Sequence, residues 1–212
     1  EQAVAQALIK IGAVGFSPEE PVKFKSGIIS PVYVDNRKLP YHPEEWKVIL
    51  EAFKEVIEKE NINLDVVAGV EAAGIPHSAA LGYILNKPSV FIRKEAKDHG
   101  TKKLVEGGEV LGKNVVLIED LASTGGSSLK AIEALRHEGA KAGDCLVIVS
   151  YGFKEAEENY KNAEVKLHTL TTFSVILDKA QNLQILTGEQ VEKIKDWFFD
   201  PHGWAQRHNI TL

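Results

Sequence analysis

Val115-Val116-Leu117-Ile118-Glu119-Asp120-Leu121-Ala122-Ser123-Thr124-Gly125-Gly126-Ser127-Ser128 is the stretch that decides how this chain folds. Four aliphatic residues in a row, without polar alternation, read as a strand covered on both faces. Two acids follow, then small hydroxyl residues and glycines. From Ser127 to Glu138 the apolar residues Leu129, Ile132 and Leu135 recur at helical spacing, and Gly139 fits the C′ position. A buried strand feeding a helix through a glycine turn is the repeating unit of a parallel α/β sheet.

The pattern recurs on either side. Val66-Val67-Ala68, Val90-Phe91-Ile92 and Cys145-Leu146-Val147-Ile148-Val149 are continuous apolar runs, and Val165–Leu170 is a weaker one. Between them Trp46, Ile49, Leu50, Phe53, Val56 and Ile57 form a helical stripe after Pro43, and Pro76–Leu85 forms a second helix. Thr187 and Gln190 fit a capping box for a last helix carrying Val191, Ile194 and Phe198. The fold class expected is α/β, a mostly parallel sheet flanked by helices. Residues 1–40 differ: a short helix, then strands at Val22–Phe24 and Val32–Val34 around a Ser/Gly/Pro turn. The expected organisation is one domain over 1–212, with a hood (1–40), an α/β core (41–180) and a C-terminal helix and tail (181–212). Arg93–Gly112 is polar and long for a loop, which points to function or disorder.

Composition narrows the classes. With 212 residues and 44% hydrophobic content the chain can build a core without disulfides or a structural metal. The net charge is −5, and no basic tract stands out beyond Arg93–Lys103, which argues against a nucleic-acid partner. Anionic small molecules fit, because local positive charge focuses them whatever the total. The lone Cys145 lies in an apolar run, as in a reducing compartment. No stretch approaches the ~20 apolar residues of a membrane span, and Glu1–Lys10 lacks a signal-peptide plan. A cytoplasmic location without membrane contact is expected.

Ligands of open α/β sheets sit beyond the carboxyl ends of strands. At Ser123–Ser127 backbone N–H groups can converge on a phosphate, helped by the helix N-terminus. Glu119 and Asp120 could hold ribose hydroxyls, directly or beside Mg²⁺. A bare Ser/Thr/Gly turn is as readily a helix cap; the acid pair tips the reading towards a ligand. Two other phosphate motifs fail. No G-x-G-x-x-G follows a strand, and Gly107–Asn114 approaches a P-loop but has Asn114 in place of Ser/Thr and a strand where a helix is required. Lys25, with Ser26-Gly27 allowing close backbone approach, could meet an anion, although alone the segment reads more simply as a solvated hairpin edge. Arg93, Lys94, Lys97 and His99 lie within seven residues and could close over an anion as a lid; a bare run of this kind is more simply a solvated charged segment.

Taken together these segments resemble a known family. The strand, acid pair and Thr-Gly loop resemble the phosphoribosyl pyrophosphate signature of the type I phosphoribosyltransferases. Lys25-Ser26-Gly27 and Arg93-Lys94-Glu95-Ala96-Lys97-Asp98-His99-Gly100 resemble two segments of the orotate phosphoribosyltransferase family. So do Tyr33-Val34-Asp35-Asn36-Arg37, Ala72-Ala73-Gly74-Ile75-Pro76-His77, and Asp196-Trp197 with Asp200-Pro201.

The resemblance implies phosphoribosyl pyrophosphate and orotate as substrates and Mg²⁺ as cofactor, held through substrate and water with Asp120 as a candidate contact. Lys25, with Phe24 and Ser26, would meet orotate. Arg93, Lys94, Lys97 and His99 would meet pyrophosphate, and Arg93, Lys97 and His99 would reach into the neighbouring site of a homodimer. Glu119 and Asp120 would hold ribose hydroxyls; Ala122, Ser123, Thr124, Gly125, Gly126 and Ser127 would line the 5-phosphate site, with Thr124 also near orotate. Lys97, His99 and Asp120 are the expected catalytic residues. His99 is a proton donor or a plain cation at the lid tip, and His77 is structural or a substrate-side donor. Ala73 and Phe153 stand where many family members carry cations, and Glu119 where many carry aspartate. The alternatives are a phosphoribosyltransferase for another base, such as a purine, and a non-catalytic regulator of the same fold. Lys25 and the 93–100 segment argue against the first, and the acidic charge and intact lid against the second.

Overall fold

The computed structural model describes residues 1–23, 27–95 and 103–210. The hood contains α1 (Gln2–Lys10), β1 (Val14–Phe16), β2 (Val22–Lys23), β3 (Ile29–Ser30), β4 (Val32–Val34) and a 3₁₀ helix (Asn36–Tyr41). The core then runs α2 (Pro43–Lys59), β5 (Val66–Val70), α3 (Gly74–Leu85), β6 (Ser89–Ile92), β7 (Val105–Glu106), β8 (Asn114–Ala122), α4 (Gly126–His137) and β9 (Lys141–Ser150). The core continues through α5 (Lys154–Asn162), β10 (Lys166–Thr172) and α6 (Phe173–Asn182), and α7 (Gly188–Phe199) and α8 (Trp204–Arg207) follow. Among these residues no helix is long and apolar enough to cross a membrane.

Six strands form the main sheet in the order β10-β9-β8-β5-β6-β7, all parallel except β7, which runs antiparallel to β6. Side chains alternate across it. Val116, Ile118, Leu146 and Ile148 enter one apolar cluster with Leu8, Phe53, Phe173 and Ile194. Val115, Leu117, Cys145 and Val147 enter the other with Ala131, Leu135, Ala156 and Tyr160. Helices cover both faces, as the unbroken apolar runs require. Each large side chain so buried contributes about 1.5–3 kcal/mol by leaving water.

The helix ends follow the residues that cap them. Pro43 and Glu44-Glu45 open α2, and Thr187 and Gln190 close a reciprocal capping box on α7. Gly139 takes φ +81° after α4, with Ala140 N–H bonded to Leu135 O, as a C′ glycine does.

Three details differ from the pattern in the sequence. β2 pairs with β3 and β4 with β1, so Val22 and Val32 start strands that do not face each other. Pro31 separates β3 from β4 and has no N–H to continue the ladder. The run Arg93–Gly112 contains β7, too short to show a period. In α7 the buried stripe is Val191, Ile194 and Trp197, with Phe198 only half buried.

Candidate active site

Strand order reverses between β5 and β8: β6 lies on one side of β5, and β8 and β9 lie on the other. At such a switch point the loops leaving the strands diverge and a crevice opens beyond their carboxyl ends. Its floor is unusually close-packed. A Cβ on Gly69 would come within 2.6 Å of Gly74 O, and one on Gly74 within 2.5 Å of Ile118 O. β5, the start of α3 and β8 therefore meet backbone to backbone, which side chains would prevent.

β8 does not stop at Ile118. It continues to Ala122 because β9 is ten residues long and holds the ladder through Glu119↔Val147, Leu121↔Val149 and Ala122↔Ser150. The acid pair is thus part of a strand, and its side chains take opposite sides. Glu119 follows Leu117 towards α4, and Asp120 follows Ile118 towards the hood. Glu119 is buried, at 6% exposure, and accepts from Asp120 N–H at 3.1 Å. Burial, then the charge of Asp120, pushes the Glu119 carboxyl well above the usual range, and Lys94 acts against this. Burial also raises Asp120, opposed by its contact with Glu119 and by the charge of Arg37.

The loop after β8 turns into α4 at Gly125, which takes φ +84° and lies against Tyr160; a Cβ there would meet the ring at 2.7 Å. Among the described residues no side chain caps the α4 N-terminus, so its first N–H groups can meet a ligand. Ser123, Gly126 and Ser127 are exposed, Thr124 is half buried, and Gly125 is buried. Ala122 lies in the core, with its carbonyl accepting from Tyr151 N–H at 3.0 Å. Asn159 Nδ2 donates to Thr124 O at 3.0 Å and ties the loop to α5.

Next to the loop a cleft of about 700 Å³ is lined by Arg93, Lys94, Ser127, Lys130 and His137, among others. Such a cluster of cations suits an anion. Glu71, in the loop after β5, accepts from Lys94 N–H at 2.9 Å and joins the two loops. Arg93 is paired with Glu106 at 3.3 Å. Lys97 and His99 lie outside the described residues, as do Phe24, Lys25 and Ser26. His77 is fully buried: Trp46 Nε1–H donates to its Nδ1 at 2.9 Å, so Nε2 carries the ring proton, without a protein partner among the described residues. Burial lowers its pKa to about 4.

On the hood side Asn36, fully buried, donates from Nδ2 to Asp120 O at 2.7 Å. Phe153 packs with Tyr151 at 5.5 Å between ring centres, and Tyr151 with Trp197 at 5.9 Å. Tyr151 is buried and Phe153 half-buried, so this stretch presents an aromatic wall. Sequence reasoning gave no site role to Tyr151, Asn159 and Lys130, and none to Asn36 beyond its place in the Tyr33–Arg37 segment. Only Lys130, three residues after Ser127 and so on the same helix face, had a local signal.

The described residues contain no group of three or more His, Cys, Asp or Glu placed to hold a metal ion. Glu119 and Asp120 nonetheless offer hard oxygen donors of the type Mg²⁺ takes while keeping its waters. Two carboxyls pushed towards neutrality by burial would be returned to their charged form by a nearby cation.

Known proteins agree with this arrangement. Residues 37–178 match the model of the phosphoribosyl transferase domain. The chain is 40% identical over 206 residues to the orotate phosphoribosyltransferase of Listeria monocytogenes, covering 97% of this chain and 99% of that one. It is 38% identical over 201 residues to that of Coxiella burnetii, covering 95% and 96%. The crystal structure of orotate phosphoribosyltransferase from Aeropyrum pernix superposes with a TM-score of 0.75 at 34% identity, covering 87% of this chain and 99% of that one. With an acid pair and an uncapped helix at the switch point of a parallel sheet, and relatives matched along nearly its whole length, the chain belongs to the orotate phosphoribosyltransferase family.

Proposed function

We propose that this protein transfers ribose 5-phosphate from phosphoribosyl pyrophosphate to N1 of orotate, giving orotidine 5′-phosphate and pyrophosphate in pyrimidine biosynthesis. The observation that carries this is the Glu119–Asp120 pair on β8, followed directly by the uncapped N-terminus of α4. The helix end and the Ser123–Ser127 loop suit the 5-phosphate, and the acids suit the ribose hydroxyls. Arg93 and Lys94, with Lys97 and His99, serve the pyrophosphate side, and Phe24, Lys25 and Ser26 serve the orotate.

The reaction breaks the C1–oxygen bond to pyrophosphate and forms C1–N1. Charge builds on the leaving group and on the sugar ring, so positioning and fixed charges do most of the work. Orotate is acidic at its ring nitrogens and requires no strong base. Mg²⁺ would be held through substrate and water, with Asp120 as a candidate contact, and would supply neutralisation of the pyrophosphate charge. The chain works in the cytoplasm as one domain, in a homodimer whose lid residues reach the neighbouring site.

The assay is direct. Protein, Mg²⁺, phosphoribosyl pyrophosphate and orotate are mixed, and loss of orotate absorbance is followed. Turnover with a purine but not with orotate would overturn the reading.

A further inference from the structure

The proposed reaction brings an anion to a cluster of carboxylates. Orotate carries a carboxylate beside the nitrogen that must reach C1 of the ribose, whose hydroxyls lie against Asp120. Asp35 adds a third carboxylate whose charge acts on Asp120. A bare acidic cluster would repel such an acceptor.

The hood supplies a fixed cation at this point. Arg37 Nε donates to Asp35 Oδ1 at 2.6 Å, and one terminal nitrogen, Nη2, donates to Tyr33 Oη at 3.0 Å. The other terminal nitrogen, Nη1, has no protein partner among the described residues, and the side chain keeps 61% of its exposure. The residue before it is anchored, because Asn36 Nδ2 holds the Asp120 carbonyl at 2.7 Å. Asn36 thus ties this segment to β8 at Asp120, and the charge of Arg37 acts on the Asp120 carboxyl. A guanidinium already clamped on two of its nitrogens loses little freedom on meeting a carboxylate.

We infer that Arg37, clamped by Asp35 and Tyr33 beside Asp120, receives the carboxylate of the acceptor and so selects orotate over neutral pyrimidines. This rests on the orotate reading above and adds a second cation to Lys25. The competing role for Arg37 is to serve Asp120 alone.

Orotidine 5′-phosphate and uridine 5′-phosphate differ only by that carboxylate, so their binding separates the two roles. Calorimetry on wild type and Arg37→Gln should show orotidine 5′-phosphate binding weakened by roughly tenfold or more, with uridine 5′-phosphate within about twofold. The KM for orotate should rise by a similar factor and that for phosphoribosyl pyrophosphate should not. Equal effects on both nucleotides, or a rise confined to the phosphoribosyl pyrophosphate KM, would overturn the inference. Tyr33→Phe keeps the charge but loosens the clamp and should raise the orotate KM less; no rise there counts against the clamp, even if the glutamine variant fails to fold. A wild type that does not turn over orotate fails the parent reading. Turnover with unchanged selectivity in Arg37→Gln fails this inference alone.

Discussion

The two sides of the crevice meet at Asp120 but are built differently. The donor side is one contiguous run, Glu119 to Ser127, carried on a central strand and fixed by the sheet, Tyr160 and Asn159. The acceptor side proposed above would be assembled from distant parts of the chain: Tyr33 and Arg37 from the hood, Tyr151 and Phe153 after β9, and Trp197 from α7. These parts are joined by ring contacts and by single hydrogen bonds, such as Trp197 Nε1–H to Ile29 O at 2.9 Å. α7 is braced in turn, by Trp204 Nε1–H on Lys193 O and by Arg207 on Asp196 and Asp200. The proposed donor half is built into the central sheet, whereas the proposed acceptor half depends on contacts between tail and hood.

The contrast predicts where lesions will register. Asp120→Asn should lower turnover by about 10²–10³ with little change in thermal stability, since a preorganised contact to the reacting sugar is lost; retention of most activity would remove Asp120 from the site. Lys97→Ala should do comparable damage, and mixing it with Asp120→Asn should recover up to about a quarter of wild-type activity if sites are shared in a dimer. No recovery despite subunit exchange would show separate sites. Gly74→Ala should cost about 1–3 kcal/mol in urea unfolding, by forcing a methyl onto Ile118 O.

His77 gives a pH signature. Its pKa in the fold, about 4, lies below the unfolded 6.5. Its contribution is therefore complete above pH 6.5 and is lost as pH falls towards 4, at about 1.4 kcal/mol per pH unit. The stability of wild type should thus fall more than that of His77→Gln between pH 7 and pH 5; parallel curves would refute the assignment. The smallest effect belongs to the acceptor side. Trp197→Phe keeps the ring but drops the bond to Ile29, costing about 1 kcal/mol and raising the orotate KM while leaving that for phosphoribosyl pyrophosphate unchanged.

The same contrast explains what could be read in advance. β5, β6, β8 and β9 were legible because a strand covered on both faces needs an unbroken apolar run. The donor loop was legible because its chemistry lies in consecutive residues. Asn36 and Asn159 were not, since each acts on a backbone carbonyl 84 and 35 residues away respectively, and no local pattern marks that. α5 escaped because only Ala156 and Tyr160 are buried in it, too few to show a stripe. The partners of β2 and β4 were not legible because strands of two or three residues carry no period, and Pro31 separates β3 from β4.

The crowding of Gly69, Gly74 and Ile118 O divides the molecule for anyone who would re-engineer it. Residues under the crevice cannot gain even a methyl without moving the sheet, so they offer no route to a new substrate. The hood meets β8 just beyond that floor through a side chain, Asn36 on the Asp120 carbonyl. A changed base preference is therefore to be sought at Tyr33, Arg37 and Phe153, where variation can be screened without rebuilding the scaffold proposed to grip the sugar.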